Sequence, residues 1–195
     1  MELFTSWHTW PAAEPELRGL LPAATCDAVR RAVEFAVRYH GGQRRPTGAP
    51  YLEHLLEALE VLVRGAGVTD PAVLCAAVLH DVVEDTACTV PDVRREFGDE
   101  VAELVGWVTI PDAPDDERKA VKEKYLKGLR DAPDNAILIK LADRVSNVQT
   151  LRNLNPARQR AYYAQTVEYI MPLAARRNWF ATWYDHWQEE HRDLA

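Results

Sequence analysis

The sequence predicts an all-α fold in a single domain. Apolar residues recur at three- and four-residue spacings over most of its length, the pattern that gives a helix one core-facing stripe. Helix-start signals precede several of these stretches, at Thr25, Asp70-Pro71 and Thr89-Val90-Pro91-Asp92. No alternating segment bounded by hairpin turns occurs. The 195 residues suit one domain, and a hydrophobic content of 47% argues against disorder.

Residues 1–22 carry Trp7, Trp10, Pro11, Pro15 and Pro22 without a steady period. They read as an irregular arm laid over the core by its tryptophans, with residues 23–195 as the helical domain. Thr25 caps a helix to about His40, with Val29, Val33, Ala36 and Val37 on one face. Gly41, Gly42, Pro46, Gly48 and Pro50 then make a loop holding Gln43, Arg44, Arg45 and Thr47. A helix follows over 51–64, striped by Leu52, Leu55, Leu56, Leu59 and Val63, until Gly65 and Gly67 break it. Asp70 as N-cap and Pro71 at the first helical position open the central helix. Its run Val73, Leu74, Ala76, Ala77, Val78 and Leu79 is hydrophobic on all sides, hence buried.

Thr89 begins a short helix in the capping-box pattern, with Asp92 in the usual place of Glu, and Gly98 closes it. Further helices are expected over 99–108, over 115–129 (exposed and of mixed charge), over 135–147 (strongly apolar) and from Pro156 to about Arg177. A last helix bears Trp179, Phe180, Trp183, Tyr184 and Trp187. It either closes the core or makes a homodimer face.

The N-terminus lacks a signal-peptide pattern, and no stretch has the apolar length to span a bilayer. Cys26, Cys75 and Cys88 show no CxxC spacing and leave an odd thiol, as expected of a reduced, cytoplasmic protein. A net charge of −7 argues against a nucleic-acid binder, though a local basic cluster could still hold a small anion.

The central helix ends in Val78–Thr86, VLHDVVEDT. Continued as a helix, this stretch puts His80, Asp81, Glu84 and Asp85 on one face through i,i+3 and i,i+4 spacings. Carboxylates there face the negative pole of the macrodipole, a cost of about 0.3–1 kcal/mol each if exposed. A bound cation reverses that sign. His54, His80, Asp81 and Asp143 are the candidate ligands. Two imidazoles, two carboxylates and no thiolate favour Mn²⁺, Fe²⁺, Co²⁺ or Zn²⁺ with open positions for water.

Five stretches in order, HGGQRRPTGAPYLEH (40–54), AAVLHDVVEDT (76–86), FGDEVAELVGWVT (97–109), ILIKLADRVSNVQTL (137–151) and QTVEYIMPLAARR (165–177), resemble the HD-domain hydrolase of the RelA/SpoT-homologue alarmone enzymes. No stretch after them could be a synthetase domain, so the expected type is a small stand-alone alarmone hydrolase. The resemblance implies a helical HD fold and removal of the 3′-pyrophosphate from ppGpp or pppGpp. It implies Mn²⁺ on His54, His80, Asp81 and Asp143, with Glu84 and Asp85 orienting and activating water. It also implies Arg45 against the nucleobase, Asn147 at the ribose and Thr150 near the base. The chemistry agrees with those roles: attack on phosphorus at neutral pH needs activated water, for which Glu84 is the first candidate base and Asp85 the second. Charge on phosphoryl oxygens needs cations, for which Arg44, Lys140 and Arg144 are candidates by charge and position, followed by Lys119 and Lys122. The chain departs from the family pattern at Pro46, where a basic residue is common, and at Leu55 after His54. Ser146 stands in place of a histidine, and Ile110-Pro111 in place of a lysine. Two other readings stay open: a related HD phosphohydrolase acting on ppApp or NADPH, and a non-catalytic module that binds alarmone.

Overall fold

The computed structural model describes residues 1–45 and 47–195. Its helices begin with α1 (Trp10–Leu20), α2 (Ala23–His40), α3 (Tyr51–Glu60), α4 (Pro71–Leu79) and α5 (Val82–Asp85). They continue with α6 (Val90–Phe97), α7 (Asp99–Val108), α8 (Arg118–Gly128) and α9 (Asp134–Val148). The last are α10 (Pro156–Gln165), α11 (Met171–Ala174) and α12 (Asn178–Glu190). The architecture is all-α, with no strand among the described residues beyond an isolated bridge between Arg44 and Pro50 at the base of the 41–50 loop.

The central helix starts as its sequence dictates. The Asp70 carboxylate accepts from the amides of Ala72 and Val73 at 2.8 and 3.2 Å, with Pro71 in the first turn. Every residue from Val73 to Leu79 is buried, and α4 packs against α2, α3, α7 and α9. Thr89 and Asp92 form the reciprocal capping box at α6. These apolar faces make one core, and α3, α9 and the end of α4 converge at its edge.

Three expectations are corrected. Residues 10–20 form α1 rather than an irregular segment; Pro11 sits in its first turn, where no amide partner is lost, and Ala13 and Leu17 are buried. The stretch before it does lie over the core, with Phe4 and Trp7 buried and the Gln149 amide bonded to both the N–H and C=O of Phe4. The helix begun at Tyr51 ends at Gly65, as expected, but its last turn, Val61–Gly65, is π-helical rather than α-helical. A Cβ at Gly65 would lie 2.4 Å from the Trp179 ring, so close packing is what that glycine permits. The helix from Pro156 is also interrupted, by a π-helical turn over Thr166–Ile170, where Thr166 Oγ1 donates to Tyr162 O at 2.7 Å and Pro172 has no N–H to offer the preceding turn.

The aromatic residues of α12 turn inward. Phe180, Trp183, Tyr184 and Trp187 are buried, with Tyr184 Oη donating to Leu141 O and Trp187 Nε1 to Val148 O. They close the core over α9. No described helix is long and apolar enough to cross a membrane.

Candidate metal centre and active site

The stretch from His80 to Asp85 is not one helix. α4 ends at Leu79, His80 and Asp81 form a turn, and α5 resumes at Val82. His80 Nδ1 lies 2.7 Å from Ala77 O, the carbonyl a continuing helix would offer to the Asp81 amide. Asp81, at φ −99° and ψ −4°, caps α5, a single turn of four residues that ends on Glu84 and Asp85.

The break swings Asp81 beside its neighbour. His54 comes from α3 and Asp143 from α9, both buried. The two imidazole Nε2 atoms are 3.1 Å apart. Asp143 Oδ1 is 3.3 Å from His54 Nε2 and 3.5 Å from His80 Nε2, while Asp81 Oδ2 is 3.3 and 3.1 Å from the same atoms. His54, His80 and Asp143 each offer one ligand atom within 4.8 Å of the others, and Asp81 Oδ2 lies beside both imidazoles. Ligands about 2.0–2.2 Å from a common ion lie at about such separations from one another, so the triad could hold one divalent cation.

The tautomers fit too. His80 Nδ1 faces a carbonyl, which only accepts, so in the neutral ring that nitrogen bears the proton and Nε2 is the one left for a cation. Burial alone would favour neutral imidazole in His80, but the adjoining Asp81 and Asp143 outweigh it and hold the ring well above its ordinary pKa. Burial likewise opposes charge on Asp143, but Lys140 and the two imidazoles keep it well below the usual carboxylate range. The His80 and His54 imidazoles do the same for Asp81. The floor of the site is thus an ionic cluster whose polar atoms answer one another.

Around it lies a cavity of about 190 Å³, lined by Tyr51, His54, Asp81, Glu84, Asp85, Ile110, Lys122, Leu126, Lys140, Asp143, Arg144, Asn147 and Tyr162. A larger groove beside Trp107, Val121 and Tyr125 is mainly apolar and gathers no such set of ionisable groups. Lys140, Asp143, Arg144 and Asn147 share one face of α9 by i,i+3 and i,i+4 spacing. Lys140 Nζ is 2.8 Å from Asp143 Oδ2, and Asn147 Nδ2 is 2.6 Å from Asp143 Oδ1. Arg144 is buried; its guanidinium lies 5.2 Å over the Tyr162 ring, and its Nε and Nη1 have no hydrogen-bond partner among the described residues. Burial and the like charges of Arg144 and Lys140 lower the Lys122 pKa.

Glu84 accepts from the Ile110 amide at 3.0 Å. Neighbouring protein atoms raise its pKa despite that bond and the nearby Lys140, and Asp81 and Asp85 add to the rise. Asp85 accepts from Gln43 Nε2 at 3.3 Å.

The candidate residues therefore divide. His54, His80, Asp81, Asp143, Glu84, Asp85, Lys140, Arg144 and Asn147 come together. Arg44, Arg45 and Thr150 do not line the cavity: exposed Arg44 donates to Gly48 O at 2.7 Å, Arg45 pairs with Glu57 at 2.9 Å, and Thr150 is exposed beyond the end of α9. The departure at Pro46 lies outside the described residues. Lys119 is exposed and outside the lining, whereas Lys122 is within it.

Sequence reading missed Tyr51, whose hydroxyl donates to Asp81 Oδ2 at 2.5 Å, and Tyr162 under Arg144. Tyr51 was visible only by its i,i+3 spacing from His54; nothing near Tyr162 in sequence marks it.

Fold and site together define a helical protein with a centre suited to one divalent cation and a basic wall facing it. Residues 32–179 match a family model described as an HD domain. The chain belongs to the HD-domain family. It is 38% identical over 175 residues to a GTP pyrophosphokinase of Streptomyces coelicolor, covering 85% of this chain and 20% of that protein. It is 38% identical over 160 residues to the bifunctional (p)ppGpp synthase/hydrolase SpoT of Escherichia coli K12, covering 80% of this chain and 22% of that protein. The chain thus spans about a fifth of the length of these curated relatives. Among solved structures it is similar to one described as a metazoan ortholog of SpoT that hydrolyzes ppGpp, with TM-score 0.76 and 30% identity, covering 89% of this chain and 98% of that one.

Proposed function

We propose that this protein hydrolyses the 3′-pyrophosphate of ppGpp and pppGpp, with Mn²⁺ as its cation, releasing GDP or GTP and pyrophosphate. The observation that carries this reading is the cavity's lining. His54, Asp81 and Asp143 line it together with the carboxylates of Glu84 and Asp85 and the cations Lys122, Lys140 and Arg144. Carboxylates and imidazoles that would hold a cation, set beside side chains that would hold phosphoryl oxygens, suit a diphosphate. The printed descriptions of E. coli SpoT and the metazoan structure name (p)ppGpp, which supports this substrate class.

When bound, the cation lowers the pKa of water and neutralises charge on the phosphoryl oxygens. Glu84 takes the proton from the attacking water, its raised pKa suiting it to work nearer neutral pH than an ordinary glutamate. Asp85, held by Gln43, orients that water. Oxygen adds to the phosphorus next to the 3′ oxygen, the bond between that phosphorus and the 3′ oxygen breaks, and the 3′ oxygen leaves as the ribose hydroxyl with the proton returned by way of Glu84. Arg144, Lys140 and Lys122 hold the diphosphate through the transfer. Asn147, which also supports Asp143, stands at the ribose. Beyond Glu84, Asp85 and Ile110 the cleft continues into a space of about 420 Å³, giving room for more of the nucleotide. Arg45, Arg44 and Thr150 reach the base or phosphates only if the 43–50 loop and the end of α9 move toward the cavity. The buried free thiols Cys26, Cys75 and Cys88 support a cytoplasmic setting.

Some relatives are named pyrophosphokinases, which favours synthesis as a second reading. Paired carboxylates placed for water argue for hydrolysis instead. The test is product analysis after incubating ppGpp, ppApp or NADPH with purified protein, with Mn²⁺ or with chelator, beside a mixture of ATP and GTP. The expected products are GDP and pyrophosphate from ppGpp, with Mn²⁺ only. Preference for NADPH or ppApp would overturn the substrate, alarmone formation from ATP and GTP would favour synthesis, and no turnover at all would leave a binding module.

A further inference from the structure

His54 is held from behind by a chain of hydrogen bonds that leaves the cavity altogether. Its Nδ1 lies 2.7 Å from Ser146 Oγ, which donates to Glu57 Oε2 at 2.5 Å, and Glu57 Oε1 accepts from Arg45 Nη1 at 2.9 Å. Ser146 is fully buried and Glu57 nearly so, amid Leu55, Leu56, Ala58 and Leu59. Packing does not call for a carboxylate there, and burying one is costly unless it is paired and hydrogen-bonded.

Proton counting gives the chain a direction. Glu57, paired with Arg45, only accepts. Ser146 spends its single proton on Glu57, so its oxygen is left to accept from His54. In the neutral ring Nδ1 of His54 must then carry the proton, which leaves the Nε2 lone pair for a cation beside His80, Asp81 and Asp143. No partner within the cluster enforces this.

We propose that Arg45, Glu57 and Ser146 form a positioning relay that locks His54 as its Nδ1–H tautomer and thereby sets the affinity of the centre for its cation. The proposal rests on the metal-centre reading above and assigns Arg45, outside the cavity lining, a task at the metal rather than at the base.

Mn²⁺ titration of the full chain, followed by the electron paramagnetic resonance signal of free Mn²⁺, tests it. The parent protein should bind one ion, and Asp81→Ala should not. Ser146→Ala removes the acceptor and should weaken binding about 10- to 100-fold, the usual effect of losing an outer partner of a ligand. Glu57→Gln should do the same at constant shape: its amide can donate to Ser146, which lets the serine turn its proton to Nδ1 and leaves N–H on Nε2. Arg45→Gln, at the outer end of the relay, should weaken binding less. In Zn²⁺-loaded protein with ¹⁵N-labelled histidine, His54 should show Nδ1–H and a metal-bound Nε2, and this signature should be lost or mixed in Glu57→Gln. If Ser146→Ala should fail to fold, Glu57→Gln and Arg45→Gln decide. Parent-like Mn²⁺ affinity and an unchanged His54 signature in these variants, with Asp81→Ala still unable to bind, would overturn the relay alone. Absence of Mn²⁺ binding by the parent would overturn the metal reading with it.

Discussion

The floor and the wall of the cavity are built on opposite terms. On the floor, His54, His80, Asp81 and Asp143 satisfy one another within 3.5 Å, and their remaining polar atoms are met by Ser146, Ala77, Tyr51, Lys140 and Asn147. On the wall, Arg144 keeps two nitrogens unpartnered, and Lys122 is crowded by charges of its own sign. The floor draws its ligand atoms to one point, while the wall keeps positive charge without a partner. A protein keeps a buried cation unpaired at a cost in stability, and under the proposed function this is where the substrate's anionic groups would be received.

The largest expected effect comes from breaking the floor. Asp81→Ala should abolish Mn²⁺ binding and lower kcat by about 10³-fold or more, since the cation supplies several kcal/mol to the transition state. Its helical circular dichroism should stay that of the parent, because Asp81 lies in a turn outside the core. Full activity in this variant would break the assignment of the floor.

Next comes Glu84, between the two regions. Glu84→Gln should cost about 10²- to 10⁴-fold in kcat while leaving Mn²⁺ affinity nearly unchanged. The base must be ionised to act, and burial raises its pKa. As pH falls, the rate of the parent should therefore drop at a higher pH than an ordinary glutamate would give, and Glu84→Gln should lack that limb in its kcat profile. An acid limb that survives the substitution would move the role to another group.

Arg144→Met sharpens the contrast with a smaller change. Losing a charge-assisted contact of about 1.5–3 kcal/mol should lower kcat/KM by about 10- to 150-fold. Stability should hold or rise, because an unpaired buried cation goes and a chain of similar length fills its place. Thermal melting beside kinetics reads both. A fall in melting temperature with unchanged kinetics would make Arg144 a structural residue.

Much of this was legible in the sequence, and the limits were physical. α4 could be read because Asp70, Pro71 and an uninterrupted apolar run all point to the same element. The ligand set was within reach because an imidazole and carboxylates on buried helices need a partner. The break at His80 was not legible: it depends on a side chain taking a backbone carbonyl, which periodicity does not register. The π-helical turns at Val61 and Thr166 leave no mark in the apolar spacing, so both stretches read as plain α-helix. α1 was hidden by Pro11 and Pro15, which read as breakers although one sits in the first turn. Glu57 and Ser146 were invisible as partners, being 89 residues apart and meeting only because α3 packs on α9.

The central claim is that one divalent cation is gathered by side chains from α3, the α4–α5 turn and α9. Anomalous diffraction at the manganese edge, from crystals grown with Mn²⁺, measures this directly. The account predicts a single strong peak bonded to His54 Nε2, His80 Nε2, Asp81 Oδ2 and Asp143 Oδ1. A peak elsewhere, or none, with these four side chains still ion-paired to one another, would contradict it.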